Sequence, residues 1–242
     1  MRYNGVDICQ CYRGISVAKE IPPGMPGRSV ETAGGWDGEM LAGVEMKQGR
    51  YLVRVNIAQR SKEEAWRARA ALAAWADSTG GQLGAIEPTH WPGRAYDGIV
   101  SSISDPEFTF GFGTVDVTFV VPRPAAYDIA PSVATGNGKA EMAVNGTMPC
   151  GPTIKQTMSE ARTGLKWKLD GETLLAITGA LSKGDVVEAN LREGWLKING
   201  VHVESRIDVL ETGWAASFAP GLHSVESQDG GAMEARWHTE WA

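Results

Sequence analysis

The sequence predicts a mainly β protein in two parts, an N-terminal β-sandwich or sheet carrying one packed α-helix and a C-terminal β-sandwich. Three observations lead there. One stretch alone, Ser61 to Asp77, has a long helical apolar stripe; runs with a two-residue alternation flank it; and beyond residue 131 short strand signals meet at Asp-Gly and Asn-Gly dipeptides with no further helix. A chain of 242 residues is long enough for two modules that each bury a core. With 43% hydrophobic and 21% charged residues it belongs to the globular class, so most of it should fold.

From Arg2 to Gly49 turn formers dominate, notably Ile21 to Gly27 and the glycines 34, 35 and 38 around Trp36, which reads as short strands joined by a long exposed loop. Arg50 to Gln59 then alternates, with Tyr51, Val53, Val55 and Ile57 on one face and Arg50, Arg54 and Asn56 on the other, as a half-buried strand does. It runs directly into the helix, placed at 62–77. Ser61 and Glu64 have the spacing at which a serine oxygen and a glutamate satisfy orphan N–H groups of the first turn. Ala65, Ala68, Leu72, Trp75 and Ala76 make one apolar stripe, and Gly80 and Gly81 stop the element. A lone amphipathic helix among strands implies a sheet beneath it, anchored by Leu72 and Trp75.

After the glycine break come strands at Arg94 to Ser104 and Gly113 to Val121, separated by Asp105 to Phe108; in the second, Val115, Val117, Phe119 and Val121 share a face. Pro122 and Pro124 cannot donate to a ladder and end that strand. Tyr127 to Lys139 is a Pro/Gly/Ser-rich crossing, so the boundary falls near Pro131 and the modules are 1–130 and 131–242. In the second module, strands 165–169 and 172–177 flank Asp170-Gly171, and 195–198 and 201–204 flank Asn199-Gly200, both two-residue hairpin turns. Pro220-Gly221 turns the chain into 222–227, and 234–241 closes it.

The residues that carry chemistry elsewhere are sparse here. A net charge of −6 argues against tight nucleic-acid binding by the surface as a whole. No apolar run reaches signal-peptide length or the ~20 residues a membrane span needs, so a soluble protein made in a cytoplasm is expected. Cys9, Cys11 and Cys150 lack metal-site spacing; Cys9 and Cys11 are expected on one face of a strand as reduced thiols. The four histidines are scattered without an HExxH pattern. Gly136 to Ala140 (GNGKA) falls short of a phosphate loop, Phe110 to Thr114 (FGFGT) reads as a strand entry with a tight backbone approach, and no GxSxG elbow occurs. Asp170 with Glu172 and Asp185 with Glu188 read as turn and solvent-face charges rather than a glycosidase pair. No catalytic, cofactor-binding or metal-binding residue is assigned. Trp167, Trp195, Trp214, Trp237 and Trp241 all fall in the second module, where flat aromatic faces either stack on sugars or fill a core or a subunit contact. Trp167 and Trp195 are the candidates for a glycan- or partner-facing role.

An ordered series of segments carries a family resemblance. Tyr3 to Ile8 (YNGVDI), the strand RYLVRVNIA leading into SKEEAWRARAALAAWAD, then YDGIVSSISD, TVDVTFVVPRPAAYD and NGTMPCGPTI, followed by LDGETLLAITGALSKGDVVEANLREGWLKINGV, FAPGLHSV and ARWHTEW, span nearly the whole chain. In that order they resemble the distal tail proteins of siphophages and related prophages. The resemblance implies a first domain that assembles into a hexameric ring continuing the tail tube, with DNA passing through its lumen. It implies a galectin-like or carbohydrate-binding-module-like second domain that meets other tip or baseplate proteins. The expected partners are further copies of the chain, in one ring or two, with the tail tube, tape-measure and receptor-binding proteins; the expected place is the virion tail tip, assembled in the host cytoplasm. No catalytic residue belongs to the pattern. An acidic lining would let DNA pass without holding it, and Asp105, Glu107 and Asp116 are the candidate lumen-facing acids. A carbohydrate-binding module and a tail-associated glycan hydrolase are the other two readings.

Overall fold

The structure, a computed structural model, describes the chain except residues 25–27, 36–37 and 214–216, and between 28 and 46 it describes the backbone alone. Trp36 and Trp214 therefore lie outside the described residues. The chain divides into two compact units, Met1–Tyr127 with Ala242, and Asp128–Trp241. That division falls slightly before the Pro131 expected from composition.

In the first unit the strands are β1 (Arg2–Tyr3), β2 (Val6–Asp7), β3 (Ile15–Ile21), β4 (Arg28–Gly35), β5 (Gly38–Met46), β6 (Gly49–Ala58), β7 (Gly84–Glu87), β8 (Arg94–Ile103) and β9 (Phe112–Val121), with helix α1 at Lys62–Ala76. The main sheet runs β2-β1-β7-β8-β9-β6-β3, and β4 pairs with β5 apart from it. Alternation places the core as expected: Tyr51, Val53, Val55 and Ile57 from β6 and Val115, Val117, Phe119 and Val121 from β9 are all buried. Helix α1 covers this face with Ala65, Ala68, Leu72, Trp75 and Ala76. Trp75 sits edge-on to Tyr3 and Phe119, at 5.7 and 6.3 Å between ring centroids, and its indole N–H donates to the Val6 carbonyl at 3.0 Å. Ser61 caps the helix by accepting from the Glu64 N–H at 3.2 Å. The Glu64 carboxylate accepts from Arg60, one residue outside the usual capping-box position.

Two expectations for this unit need correction. The short strands expected in this stretch include β3, paired with β6, but the part read as a long loop contains an antiparallel ladder from Arg28↔Met46 to Gly35↔Gly38. Glycines interrupt the side-chain alternation there, and what defines the ladder is backbone hydrogen bonding, which leaves no period-two signature. Cys9 and Cys11 do not share a strand face, because Ile8–Gln10 is a 3-10 turn capped by the Asp7 carboxylate, which accepts from the Cys9 N–H at 2.9 Å.

The short strand β10 (Ala126–Asp128) lies at the division between the units. The second unit comprises β11 (Ser132–Asn137), β12 (Lys139–Val144), β13 (Thr153–Thr157), β14 (Arg162–Leu169), β15 (Glu172–Leu181), β16 (Val186–Asn190), β17 (Trp195–Ile198), β18 (Val201–His202), β19 (Gly221–Ser227), β20 (Ala232–Trp237) and β21 (Glu240–Trp241). Two sheets, ordered β11-β20-β13-β16-β17-β18 and β12-β19-β14-β15, enclose one apolar core built around Met142, Ile154, Leu165, Trp167, Leu196 and Phe218. This is the expected β-sandwich. Asp170-Gly171 joins β14 to β15 and Asn199-Gly200 joins β17 to β18, all four residues at positive φ as two-residue hairpin turns require. The crossing expected at 127–139 holds instead the edge strand β11, whose Gly and Asn residues disguised it.

Candidate assembly surfaces

Three surfaces gather the residues singled out by sequence. The first is the outer face of the main sheet. Register opposes Arg54 on β6 to Asp116 on β9, and the guanidinium makes a two-pronged contact, Nε to Oδ1 at 2.8 Å and Nη2 to Oδ2 at 2.9 Å. This hydrogen-bonded pairing holds the Asp116 carboxyl below its ordinary pKa. Asp116 is therefore an acid whose charge its own chain balances, which weakens its candidacy as a bare lumen charge.

The second surface is the connection from β8 to β9. Asp105 is 89% exposed and accepts from Arg69 on α1 at 3.3 Å, and Glu107 is exposed beside it. The connection ends in a tight turn, Thr109 to Phe112, whose two residues exchange N–H···O=C bonds at 2.9 Å in each direction. Around it stand aromatic rings in the open: Phe110 is 87% exposed, Phe112 60% and Trp66 45%. Trp66 meets Phe108 edge-on at 5.2 Å. Sequence reasoning saw in FGFGT only a strand entry, yet the doubled Phe-Gly at a turn position was a readable sign.

The third surface belongs to the sandwich. Trp167 is corrected as a surface platform: it is fully buried, and its indole donates to Gln156 Oε1 at 2.6 Å. Its position on β14 faces the core because a two-residue period from Leu165 carries it inward. Trp195 is half-buried; Lys197 lies 4.2 Å over its ring, His202 stands edge-on at 6.1 Å, and Glu193 accepts its indole N–H at 2.6 Å. Lys197 occupies one of the flat faces a sugar would need. The acids weighed as a catalytic pair are turn fixtures. Asp185 accepts from the Ser182 N–H and from Asn199 Nδ2, and Asp170 accepts from the Ser224 N–H and faces His223 Nδ1 at 2.8 Å.

Reactive groups follow the same pattern. Burial, with the nearby Cys9, pushes the Cys11 thiol up to about 11, and burial with Glu240 pushes Cys150 up to about 11, so neither is a thiolate at neutral pH. Among the described residues no three His, Cys, Asp or Glu side chains gather as metal ligands, and no helix is long and apolar enough to cross a membrane.

No known family profile and no curated protein matches the sequence. Solved structures do. The Dit protein of phage SPP1, described as a paradigm of hub adsorption apparatus in Gram-positive-infecting phages, superposes with a TM-score of 0.81 over 100% of this chain and 98% of its own, at 14% identity. The fold is that of a distal tail protein. A chain of the phage P2 baseplate in its activated conformation with Ca also matches, with a TM-score of 0.50, 8% identity, 97% coverage of this chain and 92% of its own. At such identities side chains have diverged almost completely, so the fold is what each of the two proteins shares with this one.

Proposed function

We propose that this protein is a structural component of a phage tail tip or baseplate, in which six copies close a ring that joins the tail tube to the adsorption apparatus and lets DNA pass. One observation carries the reading: the likeness to the SPP1 hub protein extends through both units and over the full length of both chains, rather than over one common sandwich. Domain order and connectivity are thus shared along with architecture. The proposed partners are other copies of the chain, the tube and tape-measure proteins on one side and receptor-binding or tip proteins on the other. Within the ring, Asp105 and Glu107 are the acids we place toward the lumen, since both are exposed; Asp116 contributes a neutral pair with Arg54.

A ring is built from heterologous contacts, each copy presenting one patch to a different patch of the next. The direct test is light-scattering mass together with negative-stain imaging of the full chain. A particle of about six times the 25.9 kDa chain mass with a central hole is expected. A sample that remains single at high concentration would sink the proposal.

A further inference from the structure

Four non-glycine residues among those described hold a positive φ: Asn4 at 49°, Phe110 at 53°, Asp170 at 51° and Asn199 at 51°. Each is followed by a glycine, at 77°, 98°, 93° and 81°, and each pair forms the centre of a two-residue hairpin turn. Asn and Asp suit that position because a short polar side chain hydrogen-bonds locally and tolerates the left-handed region. Phe110 has no such compensation, and a bulky residue there is an outlier. Burial does not explain it either, since Phe110 is 87% exposed.

The backbone of the turn is also held firmly. Besides the Thr109–Phe112 exchange, the Gly111 carbonyl accepts from the Gln59 N–H at 3.0 Å, and a Cβ at Gly111 would come within 2.5 Å of the Gln59 carbonyl oxygen. The turn is therefore clamped to the chain just before α1, and Phe110 projects from it as an exposed knob. Strain kept at an exposed position points to a use outside the monomer.

The same unit offers a recess of matching size. Between the end of α1 and β8, Ala73, Ala76, Ile99, Val100 and Ile103, with the polar Asp77 and Thr79 beside them, line an open recess of about 140 Å³. A volume of ~150 Å³ holds a benzene molecule, so this recess, part apolar and part polar, has room for a phenyl ring. Phe110 cannot fill its own recess. The knob is fastened before the first turn of α1 and the recess is lined by Ala73 and Ala76 of its last, so at ~1.5 Å per residue the helix separates them by roughly 15 to 20 Å.

We infer that Phe110 of one copy seats in the Ala73–Ile103 recess of the next. Knob and recess lie on different parts of one surface, so the contact is heterologous and repeats from copy to copy until it closes. The inference rests on the ring reading and names the contact that would make it.

Two variants test it. Phe110→Asn installs the residue type found at the other turns, and should keep or raise the melting temperature while abolishing assembly. Ala73→Leu fills the recess from a half-buried helix position and should abolish assembly with the knob intact. Mixed together, the two retain one working knob and one working recess, so the mixture should give a particle of twice the chain mass and nothing larger. Assembly of either folded variant at the wild-type mass overturns the inference, as does a mixture that stays single. Should wild type itself stay single, the ring reading fails with it; a wild-type ring with unaffected variants removes this contact alone, leaving the ring to other surfaces or the knob to another protein.

Discussion

At the scale of the residue, stability concentrates in a few enclosed side chains. Trp75 packs edge-on against Tyr3 and Phe119 and spends its one polar atom on the Val6 carbonyl, so Trp75→Ala removes both packing and a hydrogen bond. A loss of about 3 to 5 kcal/mol is expected, read as a fall in the urea midpoint. Asp229, fully buried, shows the polar counterpart. Its carboxylate accepts from the Ser159 N–H and Oγ at 2.8 Å each, from the Gly231 N–H at 2.9 Å and from Arg162 Nε at 3.4 Å. Burial alone would raise its pKa, but these donors outweigh burial and hold it below the ordinary value. Asp229→Ala strands several donors at once, and should cost roughly 3 kcal/mol by the same denaturant measurement. Trp75 was legible from helical spacing. Asp229 was not, because its partners come from segments some 70 residues away in the chain.

At the scale of the element, turn chemistry explains most of what could be read and one thing that could not. Asp-Gly and Asn-Gly marked their hairpins in advance, since the dipeptide itself prefers the needed backbone. The edge strand β11 and the ladder of β4 with β5 were missed because strand identity there comes from a neighbour, not from a side-chain pattern. One link between elements is titratable. His223 on β19 places Nδ1 2.8 Å from the Asp170 carboxylate in the β14–β15 turn and Nε2 2.8 Å from the Ala219 carbonyl. Burial pulls the imidazole pKa down, yet the Asp170 carboxylate and the carbonyl together raise it on balance. A raised folded value means the link contributes fully below the unfolded histidine pKa and is lost as pH rises through the folded one. The melting-temperature gap between wild type and His223→Gln should therefore be widest below the ordinary histidine pKa of about 6.5 and narrow as pH rises above it. A gap that widens with rising pH would refute the linkage.

At the scale of the whole molecule, assembly by seating an aromatic knob in a phenyl-sized recess makes a prediction about salt. Ion pairs at a surface are screened within about 10 Å at 0.1 M and more tightly at higher salt, whereas burial of apolar area is not. A ring closed by Phe110 should keep its mass in about 1 M sodium chloride; one that falls apart there would have to be held by charges instead. What the sequence determined by itself was the local and periodic part: a capped helix over an alternating strand pair, two hairpin turns, a mainly β chain in two modules. Those follow from backbone preferences and from which side chains avoid water, both written residue by residue. The tertiary structure alone decided which way each aromatic faces, and so turned Trp167 inward and left Phe110 outside. It also neutralised Asp116 with Arg54 and formed a recess of about 140 Å³ between the end of α1 and β8. The reason is that exposure and pairing are properties of distance in space, and segments far apart in the chain meet only once it has folded.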